Sequence, residues 1–132
     1  MSDTELLVVR DAAVHETDIA RAWLAADEDA TGAPESRFVV LFDTCDQVIR
    51  GAAAVRRRCH CTFELVAWAV DTALIDAVAA RLVYGVVDSV RRAGGRRVAS
   101  PVASLDPVRL RVLLMVGFSL SNPDAAEAIL DE

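Results

Sequence analysis

Three groups of residues in this chain of 132 have types and spacing suited to chemistry. Cys59-His60-Cys61 brings two thiols and an imidazole together, a pattern that suggests a metal. A tetrahedral zinc site wants four ligands, however, and the other candidates, Cys45 and His15, fall elsewhere. Cys45 lies at the far end of a strand about ten residues long, roughly 30 Å away. The expectation is therefore no metal site and a hairpin turn that carries thiols. Arg56-Arg57-Arg58 and Arg91-Arg92 with Arg96-Arg97 offer charge for a phosphate, although such runs at element ends are usually solvated. The third group is Val70 to Ala80, where an apolar run passes into an amphipathic one. Backbone N–H groups point outward where a strand hands over to its helix, and they can hold an anionic ligand.

The elements around that handover follow from periodicity. Phe63 to Val70 is a nearly continuous apolar run, and it reads as a buried strand. Leu74, Ile75, Val78, Leu82, Val83, Val86, Val87 and Val90 then recur at three and four residues, the stripe of a helix that buries one broad face. Arg91-Arg92 suit its negative end, and Gly94-Gly95 can supply a left-handed cap. Arg96 to Val102 reads as the next strand. Asp106-Pro107 opens another helix with a capping acid and a proline at its first position, and Gly117 ends it. Strand, helix, strand, helix in that order is a βαβα unit with parallel strands. Upstream, Leu6–Arg10, Arg37–Asp43 and Val48–Arg57 read as strands, the last two joined by a Thr44–Gln47 turn, so an antiparallel meander precedes the parallel part. A helical stripe of Ile19, Ala22, Trp23 and Ala26 follows the first strand, with Glu16 and Asp18 near its positive end. Asp27–Ser36 reads as a solvated loop. Asn122-Pro123-Asp124 repeats the helix-opening chemistry, so local rules favour a short helix over Ala125–Leu130, with a last strand as the alternative.

Size and composition bound the function. The length suits one domain over 1–132 with one core. The net charge of −6 argues against phosphate-neutralising contact with nucleic acid. Charged residues interrupt every apolar window long enough for a bilayer, and the acidic start is no signal peptide, so a cytoplasmic protein without a membrane partner is expected. Three cysteines cannot all pair internally and read as reduced thiols. A hydrophobic share of 54% is rich for a monomer of this size and points to a homodimer or a protein partner.

Several segments, taken in order, resemble the GNAT superfamily of acyl-CoA-dependent N-acyltransferases. Val8-Val9-Arg10-Asp11-Ala12 is similar to its opening strand, Val48-Ile49-Arg50-Gly51 to its third, and Glu64 to Val70 to its central strand. Asp106-Pro107 through Val116-Gly117-Phe118 resembles its late helix and the turn that follows. The resemblance implies a mixed α/β sheet, acetyl-CoA or another acyl-CoA as donor, and a small amine as acceptor. It implies cofactor contacts at Val70 and Ala80, and it matches Glu64 to the glutamate that histone-acetylating members use as general base. Desolvation on a central strand would raise such a carboxyl toward working range. The structural alternative pairs Glu64 with Arg50 or Arg56.

The departures from that pattern predict weak turnover or none. Members carry an Arg/Gln-x-x-Gly-x-Gly/Ala loop whose bare N–H groups cradle the pyrophosphate. Here Ile75 replaces the basic residue, Asp76 stands beside it, and Ala77 and Val78 fall where the middle glycine belongs; Ala80 alone matches. A carboxylate about 6 Å from a phosphate costs roughly 2–3 kcal/mol per charge pair at an effective dielectric of ~20, near a hundredfold in affinity, so acetyl-CoA is expected to bind no better than about millimolar. The tyrosine that protonates the leaving thiolate falls on Leu113, which has no proton to give. A non-catalytic interaction or regulatory module is the alternative reading.

Overall fold

The computed structural model describes residues 7–24, 37–71, 76–101, 107–122 and 125–130. Seven strands form one sheet in the order β1-β2-β3-β4-β5-β7-β6. Strands β1 (Leu7–Asp11), β2 (Arg37–Asp43), β3 (Val48–Arg57) and β4 (Thr62–Val70) make the expected antiparallel meander. β4 then pairs in parallel with β5 (Arg97–Pro101), as the βαβα order requires. Helix α1 (Thr17–Trp23) follows a 3-10 turn over Val14–Glu16, α2 (Asp76–Arg92) joins β4 to β5, and α3 (Pro107–Val116) follows β5. Ala26, the Asp27–Ser36 segment, Thr72–Ile75 and Val102–Asp106 lie outside the described residues. Among the described residues, no helix is long and apolar enough to cross a membrane.

Two apolar layers sandwich the sheet. α2 and α3 cover one face over Val39, Leu41, Val55, Phe63, Leu65 and Val98. α1 covers the other face over Phe38, Val40, Ala52 and Ala54. Small residues on β3 let α1 approach the sheet closely. α2 and α3 end as their glycines foretell. Gly94 (φ 88°) and Gly117 (φ 112°) take the left-handed conformation, and the next N–H groups, of Gly95 and Phe118, return to the carbonyls of Val90 and Leu113.

The C-terminal segment corrects the expectation from capping chemistry. Ala125–Ile129 is β7, antiparallel to both β5 and β6 (Ser119–Asn122), a strand that sequence reasoning missed. Ala126, Ala128 and Leu130 are buried while Ile129 is exposed, a period of two that fits a sheet and no helix. Pairing with β5 outweighs the local helix signal, because the edge of β5 would otherwise lie open.

Glu16 stands at the start of α1, as expected, and it does more than meet the helix end. Its side chain is only 7% exposed and is clasped by Arg10, with Nη2 to Oε2 at 2.9 Å. Its Oε1 also accepts from the Ala13 N–H at 2.8 Å, which caps the 3-10 turn. The Arg10 hydrogen bonds, aided by that N–H, hold the carboxyl down at about 2, against the burial that opposes them. The folded form thus binds fewer protons than the unfolded chain below the ordinary carboxyl range. Stability from this pair is complete above pH 4.5 and is lost as pH falls toward 2. Glu16→Gln should cost about 2 kcal/mol in urea unfolding at pH 6. The gap to the wild type should shrink markedly at pH 3.

Candidate functional site

The site is shaped by how β4 is paired. On its β3 side the ladder runs the whole length, from Arg57↔Phe63 to Gly51↔Val70. A register shift between Ala54↔Ala67 and Val55↔Leu65 leaves Val66 as an extra residue, a bulge. Phe63 and Leu65 therefore face α2, Val66 and Ala67 both face the α1 layer, and Trp68 and Val70 face α2 again. On the β5 side only Thr62↔Arg97, Phe63↔Val98 and Glu64↔Ala99 pair. Ser100 and Pro101 of β5 go on with β7. Among the described residues β4 thus runs on past Glu64 with one edge unpaired, and an extended chain can add to such an edge by main-chain hydrogen bonds.

Glu64 sits where the two strands part. By alternation it faces away from α2, beside its cross-strand partner Arg56. Arg56 Nη2 bonds Oε1 at 2.8 Å and Arg58 Nη2 pairs with Oε2 at 3.0 Å, and the carboxylate is 15% exposed. The structural alternative is met through Arg56, with Arg58 added. Arg50 serves elsewhere. It binds Asp43 (3.3 Å), Asp46 (2.7 Å) and Asp71 (3.6 Å), and its carbonyl takes the Asp71 N–H at 2.8 Å, which fixes the end of β4. For Glu64 to accept a proton from an amine, one guanidinium must first let go.

Val70 ends β4 opposite Gly51 and is half-buried. Ala80 lies in the core on α2, so a ligand at that turn would meet its backbone. Asp76, in the first described turn of α2, is not a lone charge, since Arg111 of α3 holds one of its oxygens through Nε at 2.9 Å and Nη2 at 2.6 Å. That pairing joins residues 35 positions apart and leaves no local trace in the sequence. Leu113, in the place of the family's acid, is fully buried. The one tyrosine, Tyr84, is exposed on α2 beside a groove with β1 and β7 that includes none of Glu64, Val70 and Ala80.

The Cys59–Thr62 turn is the expected hairpin, closed by the Thr62 N–H to the Cys59 carbonyl at 3.4 Å. A side-chain hydrogen bond with Thr62, helped by nearby N–H groups and Arg97, holds the Cys59 thiol below its usual range. Among the described residues no His, Cys, Asp and Glu groups cluster in a way that could hold a metal.

Solved acetyltransferases share this architecture. An IAA acetyltransferase from Bacillus cereus superposes with a TM-score of 0.75 at 12% identity, over 96% of this chain and 99% of its own. A GNAT family acetyltransferase from Elizabethkingia anophelis, with acetyl-CoA bound, gives 0.74 at 9% identity over 96% and 99%. The ribosomal-protein-S5-alanine acetyltransferase of Vibrio fischeri gives 0.72 at 13% identity over 96% and 94%. No protein-family model matches the sequence, and no curated protein sequence does. At these identities the likeness is one of fold, and the fold is that of the GNAT acetyltransferases.

If Arg56 and Glu64 support each other, Arg56→Ala and Glu64→Ala should each destabilise by about 2 kcal/mol in urea unfolding. The double variant should lose about 1 kcal/mol less than the sum. Arg58→Ala, at an exposed partner, should cost less than about 1 kcal/mol.

Proposed function

We propose that this GNAT-fold chain binds acyl-CoA along the unpaired edge of β4 and transfers its acyl group to an amine slowly. One observation carries this reading: among the described residues the β4–β5 ladder ends at Glu64↔Ala99, while β4 continues to Val70. The acyl-pantetheine arm is an extended chain with amide groups, and the open strand edge offers it the main-chain donors and acceptors that a neighbouring strand would use. At the diphosphate end, Arg111 supplies a cation that the 75–80 sequence lacks, and it offsets the Asp76 charge. The millimolar limit expected from the Asp76 charge is relaxed accordingly.

Catalytic equipment is thinner. Glu64 can take the amine proton only after Arg58, the more exposed of its two partners, swings away. Leu113 gives the leaving thiolate no proton, so water must do so. These two facts favour slow turnover, and they equally favour the second reading, a protein that binds acyl-CoA and regulates or docks without transferring. Arg58→Ala separates them, since it frees one Glu64 oxygen and should raise any acyl transfer without changing affinity.

Acetyl-CoA should bind with a dissociation constant of about 0.5 mM. At 5 mM it should then stabilise the fold by about 1.4 kcal/mol, a rise of roughly 3–5 °C in melting temperature. Arg111→Ala should remove most of that rise. No shift at 5 mM with the wild type would end the acyl-CoA reading.

A further inference from the structure

Trp68 carries a buried donor that nothing in the described structure uses. Its side chain belongs to the core at 3% exposure, yet among the described residues Nε1 has no hydrogen-bond partner. Leaving such a group unpaired costs about 1–3 kcal/mol, and more than nine in ten buried polar groups avoid that cost. An indole N–H only donates. Its missing partner is an acceptor.

The place of the ring in the fold suggests a source for that acceptor. Trp68 lies on β4 four residues beyond Glu64, the last residue paired to β5, and past the bulge at Val66, which turns it toward the α2 and α3 layer. The Arg109 guanidinium, in the first turn of α3, stands 5.7 Å from the ring centroid. The indole therefore bridges β4 and α3, beside the part of β4 that pairs with no described residue of β5. The cation over its face helps to fix the plane of the ring.

We infer that Trp68 Nε1 donates a hydrogen bond to a carbonyl oxygen of the acyl-pantetheine arm. This rests on the acyl-CoA reading and deepens it, since it assigns this chain a side-chain contact to the arm. The unliganded protein bears the cost of the unpaired donor, and the ligand relieves it. Trp68→Phe keeps an aromatic ring in the core and removes the donor, so it should leave the empty protein as stable or more stable. The same change should weaken acetyl-CoA about tenfold.

The chain has two tryptophans, which makes the test direct. In a nitrogen–proton NMR spectrum the two indole N–H signals are assigned with Trp23→Phe, and acetyl-CoA is titrated into the wild type. The Trp68 indole proton should move downfield as it gains an acceptor, while that of Trp23 stays in place. Titration of Trp68→Phe, followed on backbone amides, should give the tenfold weaker constant, with an unliganded melting temperature no lower than the wild type. Acetyl-CoA binding that leaves the Trp68 signal unmoved, or an unchanged affinity in Trp68→Phe, overturns the contact and spares the acyl-CoA reading. Tighter binding by the variant would show that the indole plugs the gap. If the wild type shows no binding at all, both inferences fall. Should Trp68→Phe not fold, the indole signal of the wild type decides alone.

Discussion

The early end of the β4–β5 ladder is the constraint on which the rest of this structure depends. A parallel pair closes only through a crossover, here α2, and α2 is held by the apolar face that Val78, Leu82, Val83, Val86 and Val90 bury against the sheet. The crossover fixes where β5 starts beside β4. β5 pairs with β7 along its whole length, and Ser100 and Pro101 keep that partner alone among the described residues. The bulge at Val66 adds local twist and resets which side chains face α2. Each feature is ordinary, and together they leave β4 beyond Glu64 with no ladder partner on the β5 side among the described residues.

Charge is arranged in pairs that cross the fold. Arg50 gathers Asp43, Asp46 and Asp71 at the end of β4, Arg111 takes Asp76 at the start of α2, and Arg56 with Arg58 holds Glu64 at the fork. In each case an acid is answered by arginine. The chain has no lysine, and the planar, multidentate guanidinium suits this work better than an ammonium would.

Much of this fold was legible in the sequence because its signals are local. The β2–β3 hairpin announces itself by Asp43, whose carboxylate accepts the N–H groups of Cys45 and Asp46 at 2.9 and 3.1 Å. The stripe of α2 and its Gly94 cap are equally direct. What escaped was set by distant partners. β6 and β7 owe their strand state to β5, against capping residues that argue for helix. The bulge at Val66 is invisible because valine and alanine fit either face of a sheet. The Asp76–Arg111 pair and the orphaned Trp68 N–H needed three dimensions. Glu64 stands out by resemblance, and its arginine partners, Arg56 and Arg58, both lie within eight positions of it.

The central claim is that acyl-CoA lies along β4 beyond Glu64, and hydrogen–deuterium exchange of the backbone amides tests it most directly. With saturating acetyl-CoA, the amides of Val66 to Val70 that do not face β3 should exchange more slowly, while those of β1 and β2 remain unchanged. Bound acetyl-CoA that leaves β4 exchanging as before, or that protects the groove beside Tyr84 in its place, would contradict the account.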